Sequence, residues 1–420
     1  MSQPSRLSRT SAPNSESASS AQRYGVAKRA DIGALVVLSG SHLVNDALQS
    51  LLIALYPLLK ATFAVDYVQI GLISLVYQVA ASVPQPWLGH CNDKKSTPAL
   101  LCLAFSLESV GLLILATASG YGFVLIAAVL IGFASSVFHP IASPIVQDAS
   151  GGRHGLAQSV FQIGGNAGAS LGPLLAAFLI LPHGLSSVSW LCLPTAVALA
   201  FCFRLATQRS ISPTLGFRHS PQDQPSARPT PGRTVAHSLA ILLVLMFSKY
   251  FYLTGMGTFY TFYLIHRFDL TARTSQIYLF AFLVAIAAGT LIGGPVVDRV
   301  GEKPVIVASI VGVAPFTIAL PYLSLGSACT FSIIIGLILA SAFPAILVFA
   351  QKLLPDRVGL ISGFFFGIAF GFGGLGSVLL GILADHFGVI RAFQVNSYLP
   401  LLGIAALLLP SSAISNALPG

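Results

Sequence analysis

Apolar stretches of about 20 residues, each long enough to cross about 30 Å of hydrocarbon as a helix, recur along nearly the whole chain. Twelve can be marked: 32–59, 68–88, 99–118, 121–142, 155–181, 186–203, 237–265, 275–297, 304–323, 326–350, 358–384 and 391–410. Hydrophobic residues make up 55% of the chain and charged residues 8%. The mean hydropathy of +0.82 lies outside the range of a soluble domain. A membrane barrel would need alternating segments of about ten residues, whereas runs such as 112–118 and 333–340 lack period-two polarity. The expected fold class is therefore an all-α membrane protein with twelve transmembrane helices.

Orientation follows from the basic residues. With the amino terminus in the cytoplasm, 17 of the 22 Lys and Arg fall inside, only Lys60, Arg267, Arg273 and Arg391 fall outside, and Lys249 is buried in a span. Both termini are thus expected in the cytoplasm of a multi-pass protein. The net charge of +9 is spread over short loops and calls for no nucleic-acid partner. Residues 1–30, rich in Ser and Arg, read as a disordered tail, with a mitochondrial transit peptide as the rival reading. No cleavable secretory signal is evident, and the first span would serve as an uncleaved anchor. Cys91, Cys102, Cys192, Cys202 and Cys329 have no CxxC spacing and read as small packing residues.

The chain also repeats itself. A displacement of about 205 residues pairs Gln69-Ile70 with Gln276-Ile277, Ser136-x-Phe138 with Ser341-x-Phe343, Arg153-x-Gly155 with Arg357-x-Gly359, and Leu171-Gly172 with Leu375-Gly376. In the first span His42, Asn45, Gln49 and Tyr56 fall on Lys249, Tyr252, Met256 and Tyr263 of the seventh. The expected organisation is a tail at 1–30, a six-helix half at 31–203, a central cytoplasmic loop at 204–236, a second half at 237–410 and a tail at 411–420. Six spans per half keep the two repeats parallel.

The loop after the eighth span reads Gly294-Pro295-Val296-Val297-Asp298-Arg299-Val300-Gly301-Glu302-Lys303, and a partial copy, Gly89-His90-Cys91-Asn92-Asp93-Lys94-Lys95, follows the second. Glycine permits close helix approach, Asp can cap a neighbouring helix, and the cations suit an inner leaflet. Either copy alone could be a tight polar turn. Both copies together resemble the loop motif of the major facilitator superfamily, and the resemblance implies two six-helix halves around a central cavity. The fifth span, Gly164-Gly165-Asn166-Ala167-Gly168-Ala169-Ser170-Leu171-Gly172-Pro173, is similar to that family's antiporter signature, with Ala176 and Ala177 in place of its last glycines. Gly168, Gly172 and Pro173 would serve close packing and bending, and close packing alone is the plainer reading. The fourth span lacks the Arg that many drug exporters of the family carry.

Longer strings, including 41–46, 136–140, 151–159, 247–252 and 312–316, resemble the branch of the family that exports phosphonate antibiotics. That resemblance implies efflux across a bacterial inner membrane in exchange for protons.

An independent argument comes from helical geometry. His42, Asn45, Asp46 and Gln49 occupy one arc of about 100°, with Tyr56 on the same side, and Lys249, Tyr252, Met256, Tyr260 and Tyr263 form a comparable stripe on the seventh span. Lipid offers such groups no partners, so both stripes are expected to face an internal cavity. Asp46 is the first candidate for carrying protons, approached by Lys249; a static ion pair between the two is the competing reading. Glu108 in the third span could relay protons or bond a neighbouring helix. His42 can titrate near neutral pH, as can His139, which could equally satisfy backbone loosened by Pro140. Gln158, Gln162 and Asn166 share a face of the fifth span and could bond solute or another helix. Asp385 and His386 read as a solvated border.

The expected substrate is a small anionic or phosphonate-bearing solute, met by Lys249, the histidines and the tyrosine hydroxyls. No phosphate loop of the GxxxxGK[ST] type and no HExxH or GxSxG motif is present, which argues against an ATP-driven pump and a hydrolase. No cofactor or metal is expected, and the partners are solute, protons and lipid, with the chain acting as a monomer. Uptake of a metabolite by proton symport is the second reading, and a non-transporting receptor or membrane-embedded enzyme the third.

Overall fold

The computed structural model describes residues 30–94, 97–211, 232–354 and 358–409. Within them the chain forms helical rods and no strand. In order they are α1 (Ile32–Ala54, then Tyr56–Phe63), α2 (Tyr67–Ser82, then Gln85–Lys94), α3 (Leu100–Ala116), α4 (Tyr121–Ala149), α5 (His154–Leu175, Ala176–Ile180, Leu181–His183) and α6 (Leu185–Leu191, then Cys192–Ile211). The second set is α7 (Gly232–Phe268), α8 (Ala272–Val300), α9 (Glu302–Ile310, then Ala314–Ala319), α10 (Leu325–Ala340, then Ala342–Leu353), α11 (Val358–Phe387) and α12 (Val389–Tyr398, then Leu399–Leu408). Nine helices among the described residues are long and apolar enough to cross a membrane unaided. The others are α3, an apolar helix of 17 residues, and the broken rods α1 and α12.

The breaks have chemical causes. Proline carries no N–H for the helical ladder, so α2 interrupts before Gln85 at Pro84, and in α5 a wider π turn at Ala176–Ile180 follows Pro173. The starts of α1 and α2 are capped by side chains: Asp31 accepts from the Ala34 N–H, and Asp66 forms a reciprocal capping box with Gln69. The segment 204–236, expected as a loop, is helical at both ends, because α6 continues to Ile211 and α7 begins at Gly232. Residues 1–29, 212–231 and 410–420 lie outside the described residues.

The duplication is visible in atomic packing. A methyl group added to Gly132 of α4 would strike the Tyr77 carbonyl oxygen, with the Ala80 methyl at 3.1 Å and the Ala81 nitrogen at 3.2 Å. One added to Gly336 of α10 would meet the Phe282 carbonyl oxygen at 2.9 Å, the Ala285 methyl at 3.0 Å and the Ile286 nitrogen at 3.2 Å. All three partners are displaced by the same interval as the sequence repeat. The contact α2–α4 thus recurs as α8–α10.

Between the halves, α2 packs on α11 and α5 on α8. Glycine again sets the distance: Gly71 lies against the Ser377 carbonyl and Gly381 against that of Tyr67. Three apolar cores result. One joins both halves at the end of the bundle that holds Leu59, Ile70, Phe262 and Leu380. At the opposite end each half keeps its own, around Phe138 and Ile145 in one and Ile346 and Phe349 in the other. We call the joined end the top and the divided end the base. Polar bonds reinforce the top: Asp385 of α11 accepts from the Tyr67 and Val68 N–H groups at 2.9 and 2.8 Å, Tyr67 Oη lies 2.9 Å from His266 Nε2, and Gln276 donates to the Ala54 carbonyl at 2.6 Å. Asp385 is therefore a cross-half helix cap, a tighter role than the solvated border expected of it.

Candidate functional site: an acid between two histidines on the central cavity

A cavity of about 210 Å³ lies where the halves meet, walled by Asp46, Gln49, Ser50 and Ile53 of α1, Tyr77 of α2, Ala169 of α5, Gly257 of α7, and Leu279 and Leu283 of α8. Its lining is mostly apolar, and Asp46 is its charged wall residue. The position follows from α1 itself, whose buried face, including Leu38, Ala47, Leu48 and Leu51, turns into the bundle and leaves Asp46 and Gln49 half-buried beside it.

Asp46 collects donors. His42, one turn earlier, brings Nε2 to 3.2 Å from Oδ2, and His139 of α4 brings Nε2 to 3.9 Å from Oδ1. The Asn45 amide donates to Oδ1 at 2.9 Å and the Gln49 amide at 3.5 Å, while the Tyr77 hydroxyl donates to Gln49 Oε1. His42 is itself cradled by α5: Nδ1 is 2.8 Å from the Phe161 carbonyl oxygen, and its ring stacks on the Phe161 ring with centroids 4.1 Å apart. Such an arrangement can hold a proton and pass it to a cavity open to solute.

Those three side chains are also the trio of metal-ligand type found among the described residues. A tetrahedral site with ligands at about 2.1 Å needs donor atoms about 3.4 Å apart. His139, at 3.9 Å from its nearer carboxylate oxygen, is too far out to share one ion without moving.

The remaining sequence candidates divide sharply. Lys249 is not the ion-pair partner of Asp46: it is 2% exposed in α7, with Nζ 5.6 Å from the Tyr250 ring centre, and the acid's partners are the two histidines. The tyrosine stripe turns away from the cavity. Tyr263 donates to the Pro321 carbonyl at 3.1 Å and stacks on Phe393 at 4.2 Å, Tyr260 stacks on the same ring, and the Tyr252 carbonyl accepts from Asn396. Tyr56 is fully buried in the top core. The expectation that Tyr56, Tyr252, Tyr260 and Tyr263 line the pathway is thus corrected; these rings fill cores, and the face of α7 that meets α1 carries Gly257, small enough to admit a cavity.

Glu108 is 1% exposed, with neither oxygen hydrogen-bonded among the described residues, yet within electrostatic reach of Asp46. On α5, Gln158, Gln162 and Asn166 share the arc of the cavity residue Ala169 at about 100° per residue, and Gln158 Oε1 and Asn166 Nδ2 are buried with no hydrogen-bond partner among the described residues. The glycines of α5 are packing devices: a methyl on Gly164 would land on the Ser39 carbonyl, on Gly168 on that of Leu43, and on Gly172 on the Ser50–Leu51 peptide. Of the loop motifs, Gly89 sits 3.7 Å from Pro140 by its added methyl, Gly301 takes φ +85° at the start of α9, and Arg299 is exposed. The side chains of Asp93, Lys94 and Asp298, and the surroundings of Gly294, lie outside the described residues.

Sequence reasoning missed Phe161, Gly165 and Tyr77 as parts of the site. Gly165 could have been found by registering α5 against α1, since it faces His42 and Asp46 while its neighbours at 164 and 168 face backbone.

Comparison with known proteins agrees with this architecture. The family description "Major Facilitator Superfamily" matches residues 38–375. The chain is 48% identical over 387 residues to the fosmidomycin resistance protein of Escherichia coli (strain K12), covering 91% of this chain and 94% of that one. It is 35% identical over 378 residues to the uncharacterized MFS-type transporter YfnC of Bacillus subtilis (strain 168), covering 90% and 92%. The crystal structure of the nucleoside transporter NupG superposes with a TM-score of 0.71 at 15% identity, over 90% of this chain and 98% of that one, a likeness of fold. With paired halves, a central cavity and relatives of this length and identity, the chain belongs to the Major Facilitator Superfamily and is a membrane transporter, not an enzyme.

Proposed function

We propose that this transporter exports a small anionic solute of the phosphonate class in exchange for protons, working as a monomer in a bacterial inner membrane with both termini in the cytoplasm. The observation that carries the reading is the acid flanked by two histidines on the wall of an otherwise apolar cavity, at the junction of two halves that are joined at one end and divided at the other. A buried acid of this kind marks an ion or proton path. The name of the Escherichia coli relative supports a drug as the solute. The bias of basic residues supports a base that faces the cytoplasm, and on that orientation the divided base corresponds to the inward-open stage.

In the proposed cycle solute enters from the base and rests against Gln49, Tyr77 and the α5 amides. The halves rock, the top opens, and a proton from outside replaces the solute at the Asp46 cluster. Return of that proton supplies about 2.3 kcal/mol per 100 mV of membrane potential. Lys249, Glu108 and the loop glycines and charges are proposed to act in the rocking step, Glu108 as a proton relay and Lys249 as a cation that meets solute as α7 moves.

One observation favours the second reading, proton-coupled uptake. Asp46 is the charged residue of the wall, and an anion beside it binds better when the acid is protonated, which links solute and proton in the same direction. Proteoliposomes decide the matter: with an imposed pH gradient, export requires fosmidomycin to move against the proton flow, and movement with it would establish uptake instead.

A further inference from the structure

His42 fixes where the proton sits, on the reading that this cavity exchanges protons with solute. Its Nδ1 lies 2.8 Å from the Phe161 carbonyl oxygen, and a carbonyl can only accept, so Nδ1 carries hydrogen. Its other nitrogen, Nε2, lies 3.2 Å from Asp46 Oδ2. A bare Nε2 and a carboxylate oxygen are both acceptors and repel at that distance, so a proton lies between them, whichever atom it is bonded to. We propose that the His42–Asp46 pair stores one proton in the base-open form, and that Phe161 and Gly165 of α5 are the positioning residues that create the store.

The contribution of α5 is specific. The Phe161 carbonyl sets the tautomer, and its ring holds the imidazole plane by stacking. Gly165 leaves the room: an added methyl would collide with His42 Nε2 and fall 2.7 Å from Asp46 Oδ2, in the space the shared proton uses. Backing α5 away would open the close contacts that Gly164 and Gly168 make with the carbonyls of α1. The other groups around the pair are His139 from α4, 3.9 Å from Oδ1, Glu108 from α3 and Tyr77 from α2, both in electrostatic reach, and Cys202 from α6, hydrogen-bonded to Ser41. The side chains of Asn45 and Gln49 complete the ring on α1 itself.

Release has a mechanical result. When the proton passes to water in the cavity, Nε2 and Oδ2 face each other as two acceptors, and Asp46 turns toward the Asn45 and Gln49 amides and His139. Occupancy by a proton is thereby converted into the position of a carboxylate on the cavity wall.

Two measurements test this. In purified protein carrying ¹⁵N-labelled histidine, the His42 spectrum at neutral pH should show a protonated Nδ1 and a hydrogen-bonded Nε2. In proteoliposomes, His42→Gln and Gly165→Ala should each lose uphill transport of labelled fosmidomycin together with its pH dependence. A bare Nδ1, or wild-type pH profiles in both variants, overturns the proposal. Should Gly165→Ala not reach the membrane, the spectrum and His42→Gln decide alone. Failure of the broader proton reading looks different: the wild-type protein would then move fosmidomycin with no response to an imposed pH gradient.

Discussion

The amino half and the carboxy half touch their own helices through matching atoms, yet they hold different chemistry at mid-depth. Gly132 and Gly336 press on corresponding positions of α2 and α8, whereas the sites of α7 aligned with His42, Asp46 and Gln49 are Lys249, Leu253 and Met256. Tyr260 and Tyr263 of α7 stack into the carboxy half itself, and α1 turns its acid to the cavity. Duplication has been kept where backbones meet and abandoned at the wall of the central cavity. On the proposed function, the half that carries Asp46 moves against a half that presents a nearly apolar wall, and the two have separable jobs.

The sharpest way to break this contrast is Asp46→Asn. Uphill transport should fall to background while counterflow of fosmidomycin persists, as measured in proteoliposomes; retained uphill transport would put the coupling site elsewhere. Next, leucine at Gly132 or at Gly336 should destabilise the protein by similar amounts, about 3 kcal/mol or more, because each collides with backbone that cannot move aside. Thermal unfolding in detergent compares them, and a tolerant Gly336→Leu would show that the halves are not equivalent scaffolds. Asp385→Ala removes the cap that α11 places on α2, so the population with the top open should rise a few-fold, read by accessibility of a cysteine placed at the top. The smallest effect belongs to Tyr263→Phe, which gives up one bond to Pro321 and should cost about 1 kcal/mol with transport unchanged. Impaired transport there would restore the tyrosine stripe to the pathway.

Most of the architecture was legible because hydrocarbon imposes a length and a composition on every crossing segment, and because glycine and proline mark close approaches and breaks. The acid at position 46 was equally plain, since an ionisable group in an apolar run has few ordinary explanations. Its partners were not. A helical wheel groups polar residues by face but does not say which neighbour the face meets, and Tyr263 of α7, amphipathic by nature, satisfies its hydroxyl inside a core. Lys249 was drawn toward Asp46 by opposite charge, although a histidine on the same helix lay nearer. The role of Asp385 depends on residues more than 300 positions earlier, a distance over which local pattern is silent.

The shared apolar core at the top has a thermal consequence. Opening that end would bring the side chains around Phe262 and Leu380 into contact with water, and exposed hydrocarbon raises the heat capacity of the state that exposes it. The balance between the two faces of the transporter should therefore curve with temperature, and cooling, which weakens apolar association, should favour the form in which the top is open.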